Sequence, residues 1–124
     1  MDTNILRLAE AYMSAWQNKD LKGIAERVHP KVHFKGPMAE FTDRQSYLAS
    51  CERIFPMLIE IKIRSRFFSE NQAIFTYDFI CPEPIGICPT AELLTIEDDL
   101  IKSIKLFYDA RPFEKMAQSQ NTEK

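Results

Sequence analysis

The stretch Ile59-Glu60-Ile61-Lys62-Ile63-Arg64, followed after a turn at Ser69-Glu70-Asn71-Gln72 by Ala73-Ile74-Phe75-Thr76-Tyr77-Asp78-Phe79-Ile80-Cys81, decides the fold. Apolar and polar residues alternate in the first segment, and a period of two puts them on opposite faces of an extended chain. It reads as a half-buried strand running to about Phe68. The second segment, rich in β-branched and aromatic residues, reads as a central strand. Downstream the pattern repeats. Pro82 to Pro89 is a proline-broken loop, Thr90 to Ile96 a strand, Glu97-Asp98-Asp99 a turn, and Leu100 to Asp109 the last strand.

Upstream the period is helical. Ile5, Leu8, Tyr12, Ala15 and Trp16 share one face of a helix over residues 3 to 18, with Asp2 or Thr3 to cap it. Asp20 opens a second helix over 21 to 28, striped by Leu21, Ile24, Ala25 and Val28, and Pro30 ends it. Lys31 to Lys35 alternates Val32 and Phe34 against His33 and Lys35, a short strand closed by Gly36-Pro37. Thr42-Asp43-Arg44-Gln45 has the form of a capping box with Thr42 as the cap. The helix it opens runs to about Phe55, burying Tyr47, Leu48, Cys51, Ile54 and Phe55, and Pro56 breaks it. Helices followed by a run of strands is an α+β pattern. The expectation is one domain over residues 1 to 116, with a bent antiparallel or mixed sheet around three helices of the N-terminal half. Residues 117 to 124 are expected to form a polar, frayed tail.

Bulk properties narrow the function. The chain has 124 residues, 45% hydrophobic and 27% charged, with 16 basic against 18 acidic residues. That is ordinary globular composition for one domain. No basic face or arm points to nucleic acid. The start Met1-Asp2-Thr3-Asn4 lacks a basic region followed by an apolar run. No apolar stretch approaches the roughly 20 residues that span a bilayer. A cytoplasmic location is expected, with no membrane partner. Three cysteines, Cys51, Cys81 and Cys88, argue for reduced structural thiols rather than a disulfide framework. No spacing of Cys or His suits a metal. His29 and His33 are split by Pro30, and no glycine-rich loop cradles a phosphate. No cofactor is expected.

Three segments carry a family resemblance: Tyr12 through Leu21 with Ile24 and His29-Pro30, Phe34 through Pro37, and Leu100 through Glu114. Over about residues 5 to 116 the chain resembles the SnoaL-like, nuclear transport factor 2-like superfamily. The resemblance implies a cystatin-like fold: a cone-shaped sheet that encloses a mostly apolar pocket. That superfamily holds Δ5-3-ketosteroid isomerases, polyketide cyclases, limonene-epoxide hydrolases and scytalone dehydratases, besides non-catalytic binding and dimerisation domains. By this resemblance Tyr12 falls where the isomerases carry an oxyanion-donating tyrosine, and Glu92 near their protonated late-strand acid. Their general base falls on Gly36. The hydrolases' Asp–Arg–Asp set falls on Asp78, Ile80 and Leu106, with Asp78 at the Arg place, and their water-holding Tyr and Asn fall on His33 and Lys35. Asp78 with His33 is the nearest equivalent of the cyclases' acid and histidine.

The residues themselves allow two readings at most of these places. Asp78 shares a strand face with Ile74, Thr76 and Ile80. Facing a pocket, its carboxyl would be desolvated and suited to acid–base work; facing outward, it would pair with Arg64, Arg66 or Lys105, or meet a partner subunit. His33 is a base, a partner of Asp78, or a polar residue at the rim. His29 reads as a helix-end cap. Tyr12 offers a hydroxyl to a ligand or packs in the core, and Trp16 packs beside it. Glu92 is either ligand-binding or an exposed strand residue. Lys35 is a rim residue or solvated; Ile104, Leu106 and Tyr108 of the last strand complete the expected ligand wall. Asp109 and Arg111 are expected to form an ion pair. Phe75, Tyr77, Phe79 and Cys81 fall opposite Asp78 and are expected to face a second copy in a homodimer. The functional expectation is cofactor-independent acid–base chemistry on a small hydrophobic carbonyl or epoxide compound, with Asp78 as acid or base, His33 as its partner and Tyr12 as donor. The alternative is a non-catalytic binding or dimerisation domain.

Overall fold

Six strands form one open mixed sheet in the order β2-β1-β6-β5-β4-β3 in the computed structural model, which describes residues 3 to 122 and the side chains of 4 to 118. In chain order the elements are α1 (Thr3–Gln17), α2 (Leu21–Arg27), β1 (Val28–Lys35), β2 (Glu40–Phe41), α3 (Arg44–Ile54), a 3-10 turn (Phe55–Met57), β3 (Glu60–Phe68), β4 (Gln72–Ile80), β5 (Ile87–Glu97), β6 (Leu100–Tyr108) and α4 (Arg111–Thr122). Strands β3 to β6 form an antiparallel meander. Strand β1 pairs parallel with β6, which requires a long crossover, supplied by everything from β2 to β5. The result is the expected α+β architecture.

Local chemistry explains the boundaries. Asp20 caps α2 by accepting from the Gly23 N–H. Asp43, not the predicted Thr42, caps α3: its carboxylate accepts the Ser46 N–H at 2.7 Å. A charged carboxylate is the stronger acceptor for a helix's unsatisfied N–H groups. Val28 opens β1 instead of closing α2, and Pro30 lies inside the strand. The β1–β6 register shifts between Val28 and His33, so the proline's missing N–H falls in an irregularity. The β5–β6 hairpin turns on Asp98 and Asp99, both at positive φ (57° and 60°), as a primed turn demands. Where a frayed tail from residue 117 is expected, α4 continues to Thr122. Pro112 sits in its first turn, where a missing N–H costs nothing, and the Glu114 N–H bonds Ala110 C=O at 2.9 Å. The Asp2 cap candidate lies outside the described residues.

Helix α1 packs on β3 and β4, and α3 on β1 and β2. Between them they cover one sheet face. On that face lie Ala73, Phe75 and Tyr77 of β4, Leu94 and Ile96 of β5, and Ile101 and Ile104 of β6, packed against Ala9, Tyr12, Met13 and Trp16. This reverses the expected orientation of β4. Phe75 and Tyr77 are buried under the helices instead of facing a partner, and Phe79 packs beside them. The alternation was read correctly, but the other face turns inward, because burying three aromatic rings is favourable and burying Asp78 is costly. No helix among the described residues is long and apolar enough to cross a membrane.

Candidate functional site

A cavity of about 230 Å³ opens between the inner sheet face and the helices. Trp16 of α1 and Tyr47, Cys51 and Ile54 of α3 form its roof. Tyr77 and Phe79 of β4, Thr90 and Glu92 of β5, and Leu106 and Tyr108 of β6 form its floor. Phe34, Gly36 and Met38 close one side, and Phe113 of α4 reaches in from the C-terminal helix. The walls are apolar except at one end.

That end is built around Glu92, which is 4% exposed. Its Oε1 accepts from the Tyr77 hydroxyl at 2.7 Å and its Oε2 from the Tyr12 hydroxyl at 2.9 Å. Trp16 Nε1–H donates to the Tyr12 and Tyr47 oxygens at 3.1 and 3.3 Å. The Tyr12 and Tyr47 hydroxyls are themselves hydrogen-bonded. Because the Tyr12 proton goes to Glu92, Tyr47 is the donor of that pair. Burial pushes the Glu92 carboxyl above the usual carboxylate range, and the two phenol bonds oppose the rise. Burial raises all three tyrosines, Tyr12, Tyr47 and Tyr77, and the nearby Glu92 adds to each. Burial likewise pushes the Cys51 thiol up to about 12. Every buried side-chain nitrogen and oxygen among the described residues has a partner.

The predicted site residues divide into three groups. Trp16, Glu92, Leu106 and Tyr108 line the cavity. Tyr12 stands one layer behind, fully buried, its hydroxyl on Glu92. The others are elsewhere. Ile104 is in the core and does not line the cavity. Asp78 is on the outer sheet face, where Arg64 Nε donates to its Oδ2 at 2.9 Å and Arg64 Nη2 binds the same oxygen. His33 is on β1, bound through Nε2 to Glu40 Oε2 at 2.5 Å on the exposed side. Strands β6 and β5 separate it from β4, a span of about 14 Å at normal strand spacing. The Asp78–His33 pair is therefore absent, and Lys35, beside His33 on β1, is exposed as well. The Asp109–Arg111 pair is present, with Arg111 holding the Asp109 carboxyl down to about 2. Gly36, where the resemblance puts the isomerases' base, lines the cavity, and a Cβ there would sit 3.3 Å from Phe34 Cζ and 3.5 Å from Leu106 Cβ.

Two residues of the polar cluster, Tyr47 and Tyr77, carry no site signal of their own in the sequence. The sequence pattern places Tyr47 on the buried side of α3 and Tyr77 in a partner-facing row. The signal was a shared one: a phenol at the inward position of each element, beside an inward glutamate on β5. Among the described residues no cluster of His, Cys, Asp and Glu is placed to hold a metal ion.

The SnoaL-like domain family matches residues 9–104 of this chain. A solved structure from Kribbella flavida DSM 17836 is 25% identical, covers 98% of this chain and 99% of its own, and superposes with a TM-score of 0.88. An LEH-like epoxide hydrolase of M. tuberculosis is 16% identical over 88% of this chain and 85% of its own, at a TM-score of 0.73. A de novo designed protein with a curved β-sheet is 13% identical over 96% of this chain and 95% of its own, at 0.80. Similar folds also occur in ketosteroid isomerase-like and polyketide cyclase relatives. No curated protein sequence matches the chain. One shape shared by a designed protein and an epoxide hydrolase does not by itself fix an activity.

Proposed function

The chain belongs to the SnoaL-like domain family, and from that premise we propose that it binds a small, mostly apolar molecule whose one polar group is held at the Glu92 end of the cavity. The observation that carries this reading is the carboxyl of Glu92 at the wall of an otherwise apolar cavity, oriented by the hydroxyls of Tyr12 and Tyr77. A carboxyl in such a place is costly to keep and marks sites more often than cores. Volume sets the size of the guest. An apolar cavity of about 150 Å³ accepts benzene, so this one suits a molecule of about ten non-hydrogen atoms.

Acid–base chemistry is the second reading, favoured by the burial that raises the Glu92 carboxyl above its ordinary value. A proton shuttle of the isomerase type needs a base facing the acid across the substrate, and Gly36 leaves that side without one. Glu92 is the sole carboxyl among the described lining residues. Any chemistry here would have Glu92 take and return the same proton, which places binding ahead of catalysis.

The outer sheet face suits a second copy of the chain. Ile74 and Leu93 lie side by side there, next to Ala91 and the half-exposed Phe107. An apolar patch of this kind, beside the Arg64–Asp78 pair of the same face, is normally covered.

Native mass spectrometry of the purified protein, beside a denatured sample, tests the binding reading by looking for a co-purified small molecule. Leu106→Trp, which fills the cavity, should abolish retention of that molecule, and Asp78→Asn should leave it unchanged. Retention that survives Leu106→Trp would sink the reading.

A further inference from the structure

With Glu92 ionised, the Tyr77 and Tyr12 protons go to its two oxygens, the Tyr47 proton goes to the Tyr12 oxygen, and the Trp16 proton is shared between Tyr12 and Tyr47. Every donor of the cluster is spent inside it. What remains toward the cavity is acceptor capacity: lone pairs on Tyr77, on Tyr47 and on both carboxylate oxygens. A ligand that fits this end must bring hydrogen atoms, not accept them.

Charge points the same way. No Lys, Arg or His is among the described residues that line the cavity, and Glu92 forms no ion pair among the described residues. The carboxyl is buried with two phenols and no cation, an arrangement that a positively charged guest would complete. The rings of Trp16, Tyr47 and Tyr77 lie around the same end, and aromatic faces attract ammonium groups.

We infer that the cavity is a site for a small hydrophobic amine, bound as its ammonium ion with the N–H groups on Glu92, Tyr47 and Tyr77 and the hydrocarbon part against the apolar walls. This rests on the reading of the cavity as a ligand site and narrows it to one class. It also departs from the carbonyl or epoxide expectation, since those groups only accept hydrogen bonds. Within the Glu92 cluster they find a hydroxyl donor only when Glu92 is protonated, and the hydroxyls of Ser50 and Tyr108, also on the cavity wall, lie outside that cluster. The groups that face Glu92 are Tyr12 from α1, Tyr47 and Cys51 from α3, and Tyr77 from β4, all kept protonated by burial. Glu92 is therefore the group that switches the preference, and amine affinity should fall as pH is lowered and the carboxyl takes up a proton.

The test is isothermal titration of the purified protein at neutral pH with 2-phenylethylamine, 2-phenylethanol and acetophenone, three probes of matched size. The expected order is amine, alcohol, ketone, with the amine at least about tenfold tighter than the ketone. Glu92→Gln should cut amine affinity at least about tenfold while leaving the ketone nearly unchanged. Acetophenone binding as tightly as the amine to the unmodified protein overturns the inference and leaves the cavity as a site with Glu92 acting as a neutral donor. Amine binding that persists in Leu106→Trp overturns it too, by placing the amine outside the cavity. Failure of all three probes to bind overturns both the inference and the reading it rests on. The ranking on the unmodified protein decides the matter even if a variant fails to fold.

Discussion

Glu92 is held by geometry that works against its charge. Burial favours its neutral form, and the Tyr77 and Tyr12 hydroxyls offset that only in part. Because its folded pKa lies above the ordinary 4.5, the native state holds the proton more tightly than the unfolded chain. The stabilising contribution is complete below 4.5 and is lost as pH rises through the folded value. Glu92→Gln has no proton to lose. Its stability relative to the parent should therefore climb as pH is raised from about 4 to 7.5, measured by denaturant unfolding across that range. A difference that stays flat with pH would mean that Glu92 titrates alike in both states. Asp78 is the contrasting residue: a carboxyl on the outer face with Arg64 beside it, 13% exposed against 53% for its partner. With the Asp78 carboxyl mostly buried, removing Arg64 should cost more than at a fully exposed pair, which is worth about 1 kcal/mol or less.

Element by element, the C-terminal helix is the part most closely tied to access. Helix α4 starts three residues after β6, fixed by the Arg111–Asp109 pair and by Phe113, whose ring meets Tyr108 edge-on at 5.6 Å and 78°. Phe113 and Tyr108 both line the cavity, so the helix contributes part of its wall. Most of the remaining α4 side chains described are exposed. Phe113→Ala should cost about 1–2 kcal/mol, as expected for a half-buried ring. It should also speed ligand release at least about tenfold, read by stopped-flow displacement. An unchanged release rate would show that ligand exits elsewhere. Strand β4 illustrates the complementary point. Its two faces are both apolar enough to be buried, Ile74 and Ile80 on one and Phe75, Tyr77 and Phe79 on the other, so alternation defines the faces without ranking them.

For the whole molecule, the helices cover one sheet face and leave the other with Ile74, Leu93, Ala91 and Phe107. Phe107 is 54% exposed and Ile87 62%. If a second copy covers this face, light scattering at micromolar concentration should give twice the chain mass, and Phe107→Glu should halve it while leaving the fold intact by circular dichroism. A monodisperse monomer of the unaltered protein would count against the dimer.

Much of this protein is written in local pattern. The helical period of Ile5, Leu8, Tyr12 and Trp16 and the alternation from Ile59 onward specify an α+β domain, because side-chain spacing follows directly from backbone geometry. Other features depend on which elements come together. Glu92 reads as an ordinary strand glutamate until β5 turns it under α1 and α3, and Tyr47 and Tyr77, 30 residues apart in sequence, join it only through packing. The Asp78–His33 pair looked plausible along the chain and is excluded by strand order, since β1 joins the sheet beside β6 and not beside β4. Periodicity says that two faces exist; the balance between burying aromatic surface and leaving Asp78 where Arg64 can pair it, settled only in the assembled sheet, says which one becomes the site.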